Sequence, residues 1–181
     1  MASSTDPNLG AIRLAWWRER LEELGQGKDP PAEPRLQAIA RDLLPRGVTG
    51  HDLAQLEDAW LPLLQPFPWD ETQSNALELR GRVLFGIGAR LLGRDPQDAD
   101  AAGALWSLAD GAHHCSDPQS REFLLATARK AWLPPKAPRQ VRPLTVLAAL
   151  AAHDVRRGTG GAGRVSTALV HRLRGTFRGQ S

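Results

Sequence analysis

Tyrosine is absent from this 181-residue chain, methionine occurs only at position 1, and there is a single cysteine, Cys115. One cysteine excludes an intrachain disulfide and suits a reducing compartment. The missing methionines exclude a flexible, Met-lined binding surface. Lysine is also scarce, three against 20 Arg. The Arg scatter among helix-forming Ala and Leu, which reads as coding bias rather than as a binding signature. No purely apolar run is long enough to span a bilayer. Residues 1–8 are polar and include Asp6 and Pro7, which does not suit a secretory leader. The expected location is therefore cytoplasmic, with a peripheral membrane position as its extension.

What is present suffices for a core: 41% of residues are hydrophobic, among them six Trp and four Phe. The length fits one domain, residues 1–181. Charge is uneven. From Arg139 onward there are eight Arg and one acid, Asp154, giving +7; with a total of +3, the remainder carries −4. The stretch 156–181 reads as a basic turn and helix. Such a tail can meet phosphates, an acidic membrane surface or an acidic partner, or simply be a solvated face. It lacks the aromatic interleaving of a nucleic-acid module, so no specific nucleic acid is expected.

Apolar spacing is helical throughout and no segment alternates like a strand, which predicts an all-α fold of about eight helices. Asp6-Pro7 opens the first, with Leu14, Trp17, Leu21 and Leu24 on one stripe and Gly25 as its stop. Pro34 opens a short helix that Pro45 closes. Thr49-Gly-His-Asp52 reads as a capping-box variant, ahead of a stripe of Leu53, Leu56, Trp60, Leu63 and Leu64. Trp69 to Leu92 is the longest helical stretch, and Leu77, Gly81, Leu84, Gly88 and Leu91 share its apolar face. Glycine costs about 1 kcal/mol in a helix interior, so two on that face imply close approach by a neighbouring backbone or a ligand. Further helices are predicted over about 98–112, after the cap-and-proline pair Asp117-Pro118, over 143–154 and over 164–174. Trp17 and Trp60 are expected in the core, and Arg18 and Arg20 in solvent.

The densest polar cluster is Asp110, His113, His114, Cys115 and Asp117. Asp110 and His114 stand four apart, a helical spacing that can share a metal. The alternative is a helix C-terminus, which favours His electrostatically, followed by a turn. Glu19, Glu22 and Glu23 mimic an acidic metal helix, but Arg18 and Arg20 interleave with them, as on a charge-paired face. Gly158, Gly160 and Gly163 match G-x-G-x-x-G without the strand that a nucleotide site needs.

The segment Arg13-Leu-Ala-Trp-Trp-Arg18, followed by Leu21 and Leu24, resembles the R-x-x-W-W-R-x-x-L signature of the squalene/phytoene synthase family. Arg13, Trp16, Trp17 and Arg18 carry the match. The proline-bounded helix over 34–45, Arg80-Gly-Arg-Val-Leu-Phe85 and Arg142-Pro-Leu-Thr-Val-Leu147 resemble later family segments. The resemblance implies an isoprenoid synthase helical bundle whose two aspartate-rich helices hold magnesium against prenyl diphosphates. The chain departs from that pattern twice. Twelve residues precede Arg13, too few for the helix bearing the first aspartate motif. In the second motif, Asp110 and His113 fall at the Asn and Arg positions, His114 at the first Asp, and Pro118, or Asp117 in a register shifted by one, at the last. No two Asp anywhere in the chain are four apart.

The resemblance thus implies an incomplete, catalytically inactive relative acting as a binding or assembly scaffold, with no cofactor. The alternative is an active prenyl transferase condensing two diphosphates head to head, which would need magnesium. Without the family's covering helix, an exposed apolar groove is expected, open to a protein partner, a second copy or a prenyl diphosphate.

Overall fold

The computed structural model describes residues 7–131 and 138–157. These form seven α-helices joined by 3-10 and π segments, with no strand among the described residues. The all-α reading holds. The helix expected over 164–174, the glycines from 158 to 163 and Trp132 lie outside the described residues.

Local chemistry accounts for most boundaries. Helix α1 (Pro7–Gly25) begins at a proline, whose missing N–H is no loss in a first turn. Gly27, at φ 80, then turns the chain. Glu33 caps α2 (Pro34–Ala38) through Leu36 N–H, and the chain tightens through Leu44–Arg46 to Gly47 at φ 82. Helix α3 (Gly50–Trp60) carries the expected capping box. Thr49 Oγ1 accepts from Asp52 N–H at 3.0 Å, and Asp52 Oδ2 accepts from Thr49 N–H at 2.8 Å. Pro62 then draws the chain into a 3-10 turn, Leu61–Leu64.

Helix α4 (Glu71–Leu91) starts later than the apolar pattern predicts, because Asp70 and Gln73 form a second capping box. Helix α5 (Asp100–His114) is displaced two residues from the expected span, since Pro96–Ala99 forms its own 3-10 turn. Asp117 caps α6 (Pro118–Lys130) as expected. Helix α7 (Arg142–Arg157) accepts Pro143 within its first turn.

Helices α4 and α5 form the centre. Helix α3 packs on α4 and α1 on α3, while α6 and α7 cover α5. One apolar cluster joins Leu21, Leu24, Leu36, Val48, Leu53 and Ile87; another joins Leu77, Leu105, Leu108, Leu124 and Val155. The α4–α5 approach is set by glycine. A Cβ on Gly81 would lie 2.0 Å from Gly103 O, and one on Gly103 would lie 2.1 Å from Gly81 O. The expected backbone approach at Gly81 is therefore present; at Gly88 the neighbour is instead the Leu144 side chain.

Two apolar positions depart from expectation. Trp60 is 38% exposed, because α3 ends there and its ring lies over Arg80 rather than in the core. Leu84 is 41% exposed although Leu77 and Gly81 on the same face are buried. Trp17 is half-buried, Arg18 is exposed and Arg20 is partly so.

Candidate functional site

Arg80 is the unusual residue of the interior. It stands on α4 three residues after Leu77, on the face that meets α5, and is 8% exposed. A buried guanidinium is costly unless its N–H groups are matched. Nε donates to Ser107 Oγ at 2.9 Å and Nη2 to Asp110 Oδ2 at 2.7 Å, both acceptors on α5. The guanidinium carbon lies 4.9 Å from the Trp60 ring centre and 5.8 Å from that of Trp106. Arg80 therefore joins α3, α4 and α5, with two indoles within cation–π reach of its guanidinium. Trp106 in turn packs on Phe85, with ring centres 5.5 Å apart.

The polar cluster singled out in the sequence abuts this site at the end of α5. His114 sits on Asp110, its Nδ1 2.8 Å from the Asp110 carbonyl oxygen and 3.4 Å from Oδ1. His113 is exposed, and its ring meets His114 edge-on at 5.1 Å. Cys115 is buried, and its carbonyl oxygen accepts two hydrogen bonds from Arg121. Asp117 points elsewhere: Oδ2 accepts from Ser120 N–H at 2.8 Å and from Ser120 Oγ at 2.6 Å. Those hydrogen bonds hold its carboxyl below the ordinary carboxylate range. Ser120 Oγ also accepts from Trp69 N–H, tying the cap of α6 to the start of α4. Asp110 and Asp117 thus belong to different networks.

Magnesium prefers several oxygen ligands in near-octahedral array. Asp110 is engaged by Arg80 and Asp117 by Ser120, and the histidines between them offer nitrogen. The donors do not fit that ion. Among the described residues, no group of three or more His, Cys, Asp or Glu is placed to hold any metal.

The Trp-Trp-Arg segment has a structural part. Arg18 reaches Glu22 at 3.1 Å and Asp58 at 2.5 Å, linking α1 to α3. Arg20 pairs with Glu19 and Glu23, so the acidic run is the charge-paired face its spacing suggested. Trp16 and Trp17 meet edge-on at 5.3 Å, and Arg13 is exposed.

Sequence reasoning named Arg80 only within the segment Arg80–Phe85, gave it no site role, and passed over Ser107 and Trp106. The available signal was an arginine at helical spacing among Leu77, Leu84 and two glycines. Protein-family models, curated proteins and solved structures offer no match to this chain.

Proposed function

We propose that this chain is a binding or assembly scaffold resembling inactive members of the squalene/phytoene synthase family, rather than a prenyl-condensing enzyme. The observation that carries the reading is the commitment of Asp110 and Asp117. Condensation of prenyl diphosphates releases a multiply charged anion, which carboxylate-held cations must offset. Here Asp110, at the family's Asn position, neutralises a buried arginine, and Asp117, which reaches the last Asp position only in the shifted register, caps a helix. Each is needed where it stands, so recruiting either to a cation would uncover Arg80 or the first turn of α6.

The test is incubation of the purified chain with farnesyl or geranylgeranyl diphosphate, magnesium and a nicotinamide reductant. No condensed product and no released pyrophosphate are expected. Sustained magnesium-dependent turnover that disappears in the Asp110→Ala, Asp117→Ala double variant, with helicity retained, would restore the enzyme reading.

A further inference from the structure

Helix α1 shows solvent a second apolar face. Its packed side buries Leu21 and Leu24, and sets Gly10 against Leu64, where a Cβ would stand 3.0 Å from Leu64 Cδ2. Leu9, Ile12 and Trp16 follow one another at intervals of three and four residues, so they share one face. They are 56%, 66% and 40% exposed. The Trp16 ring is held at the surface by its edge-on contact with the half-buried Trp17, at 5.3 Å. Arg13 is exposed beside this strip, and no acid stands between Pro7 and Arg18. The acids that follow, Glu19 and Glu23, are paired with Arg20. The sequence adds charge of the sign of Arg13: from Val155 to Ser181 there are six Arg and no Asp or Glu.

We propose that this face of α1 seats the protein on an anionic lipid surface, with Leu9, Ile12 and Trp16 entering the boundary between headgroups and acyl chains and Arg13 meeting the headgroup anions. A helix lying in that boundary buries its apolar face only to a shallow depth and keeps cations beside it. Trp suits the same depth, because its ring is apolar and its N–H stays hydrated. Charge and area decide against a second copy of the chain. Two such faces laid together would hold Arg13 close to its counterpart, with no acid on either strip to offset the pair. Three part-exposed side chains also fall short of the about 800 Å² per partner that a stable interface buries. A lipid surface needs no matching shape, and its negative potential complements both Arg13 and the arginines after Val155. The proposal goes beyond the scaffold reading and does not depend on it.

Co-sedimentation of the full chain with vesicles tests the idea, using phosphatidylcholine alone and phosphatidylcholine mixed equally with phosphatidylserine. The mixed vesicles are expected to bind the chain, less so at high salt, and phosphatidylcholine alone at least about tenfold more weakly. Ile12→Glu and Leu9→Glu, both at exposed positions, should keep the unfolding transition and each weaken binding about tenfold or more, by placing a charge where the face enters the lipid. Leu147→Glu puts the same charge at an exposed apolar position of α7 and should leave binding within about twofold. No binding to mixed vesicles, or equal binding to phosphatidylcholine alone, would overturn the proposal. Binding unchanged in both α1 variants would overturn it too, and would assign the lipid contact to the arginines after Val155. So would a dimer of the lipid-free chain that Ile12→Glu dissociates, which would give the face to a second copy.

Discussion

Replacing Gly81 by alanine sets two opposing effects against each other on the central helix. Alanine in a helix interior is favoured over glycine by about 1 kcal/mol. The new Cβ, however, would lie 2.0 Å from Gly103 O, 2.5 Å from Gly103 C and 2.7 Å from Ser107 Cβ. Two of those atoms are backbone and cannot swing aside, while ordinary C···O contacts begin near 3.3 Å. Helices α4 and α5 must part by roughly an ångström, loosening the packing of Leu77, Leu105 and Leu108 and stretching the bonds from Arg80 to Ser107 and Asp110. Overpacking of this kind costs about 1–3 kcal/mol, and the lost hydrogen-bond geometry adds to it, so the clash wins. A net destabilisation of about 2 kcal/mol corresponds to a Tm drop of about 4–8 °C for a chain of this size. Urea and thermal unfolding followed by circular dichroism measure it. Gly88→Ala is the internal comparison: its Cβ would meet Leu144 Cδ2 at 3.0 Å and Cδ1 at 3.1 Å, a side chain that can rotate, so a change within about 1 kcal/mol is expected. Gly81→Ala as stable as the parent, or more so, would refute the close-approach argument.

Glu57 and Asp110 supply two further tests. Burial, reinforced by the charge of Asp58, pushes the Glu57 carboxyl above the ordinary carboxylate range, and Oε2 has no partner among the described residues. The folded state therefore holds that proton more tightly than the unfolded state, and the group destabilises the fold most above its folded pKa. Glu57→Gln should raise stability at neutral pH, with the gain shrinking as pH falls and gone below the unfolded value of about 4.5; denaturant midpoints across pH read this, and a gain independent of pH would contradict it. Asp110→Ala should cost about 3 kcal/mol by leaving Arg80 buried without its counter-ion, and Arg80→Met with Asp110→Leu should recover most of that loss; an Asp110→Ala cost under about 0.5 kcal/mol would remove the pair from any structural role.

The elements legible in the sequence are those whose cause lies within a few residues. Thr49 and Asp52 satisfy each other three residues apart, and Asp117-Pro118 joins a cap to a residue suited to the first turn, so both helix starts follow from local chemistry alone. Spacing placed Trp60 in the core because it lies seven residues after Leu53, two helical turns on. Yet α3 ends at Trp60, and the 3-10 turn from Leu61 winds at about three residues per turn rather than 3.6. The apolar stripe therefore changes direction there, and the indole is laid over Arg80. The candidate site shows the same division between local and distant causes. Asp110 and His114 do meet, as residues four apart on a helix should. Whether Asp110 was free to bind a metal depended on Arg80, thirty residues earlier on another helix, and their pairing rests on the glycine contact that brings α4 onto α5. Helical spacing states which side chains share a face. It does not state which opposite charge the packing of two helices will set against them, and a carboxylate that looks free for a ligand in one helix can be the counter-ion of a buried cation in the next.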